Sequence, residues 1–137
     1  MSKSALEKLG YKAGMNGWAV NCPAELRAAI DLPEQRPDDP ALIVAFVTAI
    51  ADVERQARLV VPHYRPGQAL WFAYPKKTGA IRTDISRDQG WQALVAHDLL
   101  PVTQIAIDET WSALRFRYRG EIARMTRKTD LPGQAMA

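Results

Sequence analysis

The stretch Gly67-Gln-Ala-Leu-Trp-Phe-Ala-Tyr-Pro-Lys-Lys-Thr-Gly79 decides the fold of this chain of 137 residues. Its apolar part, Leu70 to Tyr74, predicts a buried strand that runs directly into the basic loop Lys76-Lys77-Thr78-Gly79. In open α/β sheets, ligands bind at the carboxyl ends of the strands. The loop is therefore the first place where we expect a ligand.

A second buried strand lies upstream. Residues 41–47 are apolar without alternation, a pattern typical of a strand that is covered on both faces. The helix predicted after this strand has one apolar stripe, formed by Ile50, Val53, Ala57 and Val60. The turn Arg65-Pro-Gly67 then leads into the 69–74 strand. Strand and helix alternate, which favours a parallel α/β sheet.

The N-terminal part predicts smaller elements. These are a short helix at 4–8, a strand at 18–22, a helix that begins at Pro23 and a loop over 32–40. Downstream, Ser86 with Gln89 forms a capping-box pattern, which predicts a helix with Trp91, Leu94, Val95 and Leu99 facing inward. A strand at 104–107 and a tight connection at 108–110 follow.

The last predicted strand alternates. Leu114, Phe116 and Tyr118 point to one face, and Arg115, Arg117 and Arg119 point to the other. This period predicts a half-exposed antiparallel strand at an edge of the sheet. We therefore expect an α/β fold, a three-layer Rossmann-like sandwich of about five strands, mostly parallel with an antiparallel C-terminal hairpin. Residues 1–120 form the single domain, and 121–137 form a basic polar tail that we expect to be disordered.

Composition excludes several classes of protein. Apolar residues make up 47% and charged residues 24%, which is ordinary for a globular domain. No apolar run is long enough to span a bilayer and no leader pattern opens the chain, so we expect a cytoplasmic protein with no membrane contact. The single cysteine, Cys22, and two widely separated histidines offer no metal site, and we expect no cofactor.

The order of elements resembles the C-terminal half of a class I methyltransferase core. Within that outline the chain resembles a bacterial family of uncharacterised proteins, domain of unknown function 3052 and its relatives. This resemblance depends on Leu9-Gly10, Gly14, Gly67, Trp71, Pro75-Lys76 with Gly79, and Trp111-Ser112 with Arg115. It implies a Rossmann-like fold and no assigned activity. A methyltransferase has a glycine-rich turn after its first strand and an acid that ends its second strand. Here the corresponding positions are Asn21-Cys22-Pro23 and Val47-Thr48.

Two groups of residues are candidates for a ligand site. The first is the loop with Lys76, Lys77, Thr78 and Arg82, whose ammonium groups, hydroxyl and guanidinium suit a phosphate or carboxylate. The alternative is an exposed lysine loop without a ligand. The second group is Trp111, Ser112 and Arg115, where a tryptophan stacks on a ligand or simply packs the hairpin. Ser112 has no histidine at a recognisable spacing, so no catalytic triad is predicted.

Other charged or reactive residues support weaker hypotheses. Alternating arginines on one strand attract nucleic acid in some proteins, but on edge strands they more often prevent aggregation, and no nucleic-acid partner is expected. Cys22 at a helix start is either reactive or inert.

We therefore hold two hypotheses of different class. One is a small non-catalytic or regulatory α/β module that binds an anionic ligand or a partner protein through the 75–82 loop and the 111–115 hairpin. The other is a minimal or degenerate methyltransferase-like transferase. With no catalytic constellation and no intact S-adenosylmethionine or dinucleotide motif, the first is favoured. An exposed edge strand also favours a homodimer.

Overall fold

Five strands form a single sheet. A computed structural model describes residues 4–77, 79 and 81–122. The strands are β1 (Gly17–Val20), β2 (Leu42–Phe46), β3 (Ala69–Pro75), β4 (Leu99–Ala106) and β5 (Trp111–Tyr118). The helices are α1 (Ala5–Lys8), α2 (Ile50–Val60) and α3 (Gln92–Val95), with short 3-10 helices at Ala24–Leu26 and Val61–His63 and a helical stretch at 119–122.

The strand order is β1-β2-β3-β5-β4. Strands β1, β2 and β3 are parallel, whereas β5 lies between β3 and β4 and is antiparallel to both. The prediction of an α/β protein with five strands and an antiparallel C-terminal hairpin is therefore confirmed. The carboxyl ends of β1, β2 and β3 lie at one edge of the sheet, which we call the carboxyl edge. Strand β5 begins there, because Trp111 pairs with Pro75.

The hydrophobic core lies on both faces of the sheet. Every residue of β2 and β3 is buried, as their unbroken apolar runs predicted. Ile43, Phe72 and Phe116 face the cluster that α2 and α3 complete through Val53 and Leu94. On the opposite face, a second cluster combines the alternate strand residues with α1 and the 21–32 segment, through Leu9, Leu26, Ile30, Val44, Trp71 and Trp111. No helix within the described ranges combines the length and apolarity needed to cross a bilayer.

The prediction of a helix that begins at Ser86 is wrong. Ser86 and Gln89 exchange two backbone hydrogen bonds and form a tight turn, with N–O distances of 3.0 and 3.3 Å. The helix is reduced to α3, and Leu99 begins β4 instead of ending the helix. The cause is tertiary, because Leu99 pairs with Tyr118 in the sheet. The helix predicted at Pro23 likewise shrinks to a 3-10 turn over Ala24–Leu26.

The antiparallel direction of the last strand and the shared face of Leu114, Phe116 and Tyr118 are confirmed, but its expected position at an edge of the sheet is wrong. Strand β5 is an interior strand, and β4 is the outer one. Arg115 and Arg117 are consequently only partly exposed. Arg119 follows the strand, in the helical stretch, and its guanidinium pairs with Asp98 at 3.0 Å. The arginines therefore do not form an exposed positive ribbon.

Candidate functional site

Three loops approach one another at the carboxyl edge. They follow β1, β2 and β3, and together with the start of β5 they line a half-open cavity of about 290 Å³. The side chains that line it come from all four segments: Asn21, Cys22, Phe46, Thr48, Ile81 and Trp111, with Pro23 and Glu25 at the rim. A second, more open cleft lies beside it, between residues 48–49 and 82–84.

Backbone hydrogen bonds hold the loop after β3 beside this cavity. The Lys76 N–H donates to the Thr110 carbonyl at 2.8 Å, and the Gly79 N–H donates to the Lys76 carbonyl at 3.0 Å. The turn before β5 is itself closed by Asp108, whose Oδ1 accepts from the N–H groups of Thr110 and Trp111 at 2.8 and 2.7 Å. The basic loop and the hairpin that the sequence singled out are therefore neighbours.

The cationic side chains of the loop form no ion pairs within the described part of the chain. Lys76 is partly exposed, Lys77 and Arg82 are exposed, and none of the three forms an ion pair with any residue that the structure describes. Arg82 lines the second cleft. Seven other arginines pair with carboxylates: Arg27, Arg55, Arg58, Arg65, Arg87, Arg117 and Arg119. Thr78, the fourth predicted member of the loop site, lies outside the described residues.

Trp111 is a wall of the cavity rather than an exposed stacking platform. Its side chain is 2% exposed and packs edge-on against Phe46, with ring centroids 5.6 Å apart. Ser112 is also buried, and it pairs in register with Tyr74. Because neighbouring strand residues point to opposite faces, Ser112 does not share the cavity with Trp111. Of the predicted hairpin residues, the structure brings only Trp111 to the loop.

Arg115 lies away from this site. It follows Trp111 by four residues on β5, which is roughly 13 Å along a strand. It pairs with Trp71 in register, and its Nη2 donates to the Gln68 carbonyl at 3.3 Å, near the beginning of β3. The pKa of Arg115 is lowered by burial and then by the neighbouring charge of Arg117. Arg115 and the lysine loop therefore cannot contact one small ligand together.

Cys22 is an inert thiol in this environment. It is buried at the cavity, and its Sγ donates to the Pro23 carbonyl at 3.5 Å. Burial raises its pKa to about 11; Arg27 opposes that change, and Glu34 and Glu25 reinforce it. The thiolate, which is the nucleophilic form, is scarce at neutral pH. The geometry therefore favours the inert alternative for Cys22.

Two carboxylates at the N-terminus of α2 were missed by the sequence reasoning. Asp52 Oδ2 accepts from the Thr48 N–H, the Thr48 hydroxyl and the Ala49 N–H, at 3.0–3.1 Å. Asp84 Oδ1 accepts from the Ile50 N–H at 2.8 Å. Burial alone would raise the pKa of Asp52, but these hydrogen bonds and Arg55 lower it below its ordinary value. Asp52 lies three residues after Ala49, the capping-box position for an acid, and this signal could have been found.

This capping changes the interpretation of the site. The predicted helix beginning at Ser86 offers no anion-binding N-terminus, and the first N–H groups of α2 already have carboxylate partners. The side chains of the loop are therefore the cationic groups that remain for an anion at the carboxyl edge. Among the described residues, no cluster of three or more His, Cys, Asp or Glu side chains could hold a metal ion.

Comparison of the chain with protein-family models, with curated proteins and with solved structures found no match. The site is therefore interpreted from its own geometry.

Proposed function

We propose that this protein is a small non-catalytic α/β module that binds an anionic ligand at its carboxyl edge. The observation that carries the proposal is that Lys76, Lys77 and Arg82 lie in one loop at the carboxyl edge and form no ion pair with any described residue, and that Arg82 lines a cleft there. Charge-assisted hydrogen bonds from such side chains to phosphate or carboxylate are the stronger class of hydrogen bond. The inert Cys22 and the position of Ser112 away from the cavity favour binding over covalent catalysis.

A thermal-shift titration with inorganic phosphate and pyrophosphate tests this proposal. A ligand at 100 times its dissociation constant stabilises the native state by about 2.7 kcal/mol, which corresponds to several degrees. The shift should be lost in the double variant Lys76→Ala/Lys77→Ala. The matched control is Lys12→Ala/Arg36→Ala, which removes the same charge from exposed residues elsewhere.

Equal loss in both double variants would show that only net charge matters and would refute a site in the loop. Absence of a shift with either anion would move the assignment to an acidic partner protein, which the same three cations suit. In that case the two double variants should be compared for co-purifying acidic proteins.

A minimal methyltransferase-like transferase is the second candidate. It is supported by the strand order β1-β2-β3-β5-β4, in which an antiparallel last strand lies between β3 and β4, as a Rossmann-like closing hairpin requires. As part of this second candidate, we also propose that the fold is a three-layer Rossmann-like sandwich. We propose likewise that the chain is related to domain of unknown function 3052. Strand β1 leads into Asn21-Cys22-Pro23 without a glycine, which weakens the case for a cofactor. Saturable binding of S-adenosylmethionine in calorimetry would support the transferase, and no heat at millimolar ligand would end it.

A further inference from the structure

Trp111 differs from the other three tryptophans in its hydrogen bonding. The indole N–H groups of Trp18, Trp71 and Trp91 donate to backbone carbonyls of Glu34, Leu9 and Ser86, at 3.1, 2.9 and 2.8 Å. The buried Nε1 of Trp111 has no acceptor in the described part of the chain. Buried N–H groups without an acceptor are rare in native proteins, because each one loses its hydrogen bond to water. We therefore expect an acceptor for this N–H from outside the described residues.

The cavity at the carboxyl edge is the open space that borders the Trp111 side chain. Trp111 forms part of its wall, together with the apolar side chains of Phe46 and Ile81. Two polar neighbours each donate one hydrogen bond to the protein. Asn21 donates to the Phe46 carbonyl at 3.2 Å, and the Thr48 hydroxyl donates to Asp52. Of these groups, the Trp111 indole is the buried donor that has no partner among the described residues.

The charge of the cavity differs from the charge of the loop. The one formally charged side chain in its lining is Glu25, which is exposed and forms no ion pair with any residue of the described ranges. A carboxylate at the rim disfavours an anion inside the cavity. We therefore expect the acceptor that reaches Trp111 to be uncharged, such as a carbonyl oxygen or a ring nitrogen. The cations of Lys76, Lys77 and Arg82 remain available to an anionic group outside.

The size of the cavity limits what enters it. At about 290 Å³ it lies at the lower end of the range for ligand pockets. It accommodates one substituted ring rather than a whole cofactor. The edge-on rings of Phe46 and Trp111 give it aromatic walls, which suit a planar group.

We infer that the ligand has two chemically distinct parts. A planar, uncharged ring with a carbonyl or ring-nitrogen acceptor enters the cavity beside Trp111, and an anionic group stays on the loop at Lys76, Lys77 and Arg82. The anionic part of the ligand rests on the proposed function, whereas the ring part rests on the cavity and the Trp111 indole alone.

Nuclear magnetic resonance of the indole N–H groups tests the inference directly. A ¹H–¹⁵N spectrum shows one indole signal for each of the four tryptophans, and single Trp→Phe variants assign them. The probes are uracil, which supplies the ring and its carbonyls, uridine 5′-monophosphate, which adds the anion, and inorganic phosphate, which is the anion alone. Uracil and the nucleotide should move the Trp111 signal downfield, as expected for a new hydrogen bond, and should leave the Trp71 signal in place. Phosphate should not move it.

Two variants separate this inference from the proposed function. Lys76→Ala/Lys77→Ala should weaken the nucleotide about tenfold, the effect of losing one charge-assisted contact, and should leave uracil unchanged. Trp111→Phe should weaken both ring probes about tenfold in calorimetry, whereas Trp91→Phe, on the other face of the sheet, should not. If the nucleotide shows no dependence on the loop while uracil still moves Trp111, the proposed anion site fails and the cavity site stands.

The inference is overturned if neither ring probe moves the Trp111 signal at about 10 mM, since a one-ring fragment binds in the millimolar range. It is also overturned if Trp111→Phe and Trp91→Phe weaken the ring probes equally. Loop-dependent binding of phosphate, together with ring probes that leave the Trp111 signal unmoved, would preserve the proposed function and reject the ring part of the ligand.

Discussion

Glu121 ties the end of the described chain to the sheet, and its replacement should be among the most destabilising single changes outside the core. Its carboxylate accepts the Tyr64 hydroxyl at 2.6 Å, the Tyr118 N–H at 2.8 Å and the Gly67 N–H at 3.0 Å. Arg117 lies 3.7 Å away, and the Glu121 side chain is only 10% exposed. The residue therefore joins the turn before β3 to the end of β5.

The magnitude follows from the donors that lose their acceptor in Glu121→Ala. Gly67 is exposed, so water replaces the carboxylate there, whereas Tyr64 is buried and Tyr118 is partly buried. Each hydrogen bond to a charged group contributes about 1.5–3 kcal/mol, and the values do not add fully. We expect the free energy of unfolding to fall by about 2–4 kcal/mol, or the melting temperature by roughly 10 °C.

Urea denaturation followed by circular dichroism measures this loss, and Glu121→Gln is the matched control. The glutamine oxygen can still accept from Tyr64 and Tyr118, because both bond to Oε1, but its NH₂ opposes the Gly67 N–H. Its cost should be about 1 kcal/mol. A loss below 0.5 kcal/mol for Glu121→Ala, which is about the level of an ordinary surface change, would refute the reasoning. Equal losses for the two variants would refute it as well.

The same carboxylate predicts a pH dependence. Burial by itself raises the pKa of Glu121, but the hydrogen bonds from Tyr64, Tyr118 and Gly67 and the charge of Arg117 lower it below its ordinary value of 4.5. A lowered pKa contributes stability that is fully present above the unfolded value and is lost as the pH falls through the folded value. The stability advantage of the natural protein over Glu121→Gln should therefore stay constant down to about pH 5 and shrink below it.

Three further outcomes are expected. In urea titrations, Asp52→Ala should lower the free energy of unfolding by about 1–2 kcal/mol and Asp84→Ala by about 1 kcal/mol, because each removes a cap from α2. No loss in Asp52→Ala would contradict the capping geometry. Gly67→Ala should cost about 1–2 kcal/mol by the same measurement, since Gly67 has φ +93° and a side chain is strained there; a neutral alanine would mean that the turn relaxes. Cys22, with its pKa of about 11, should react with iodoacetamide more slowly than free cysteine at neutral pH, as measured by mass spectrometry. Labelling at the rate of free cysteine would show that the thiol is accessible and ionised.

The strands were largely predictable because their apolar residues must be buried on both faces of the sheet. The runs at 42–46 and 69–75 are buried along their whole length, so no partial exposure obscures the pattern. The turn at Gly67 and the amphipathic α2 follow from equally local causes, a positive φ and a 3.6-residue stripe. The loop of Lys76 and Lys77 could be placed at the carboxyl edge because it directly follows β3.

The site depends on tertiary structure instead. Leu99 follows its sheet partner rather than the local helix signal, because its pairing with Tyr118 is long-range and cannot be detected in a short window of sequence. Likewise, the alternation along the strand predicts that Arg115 and Arg117 share one face. Only the position of β5 inside the sheet decides how far that face is covered. The cavity is a joint product of loops from four segments of the chain, so no single segment encodes it. The sequence by itself determined the strands and the basic loop. The packing alone decided that Trp111 lies beside that loop, with an indole N–H that has no acceptor among the described residues, and that Arg115 lies at the other end.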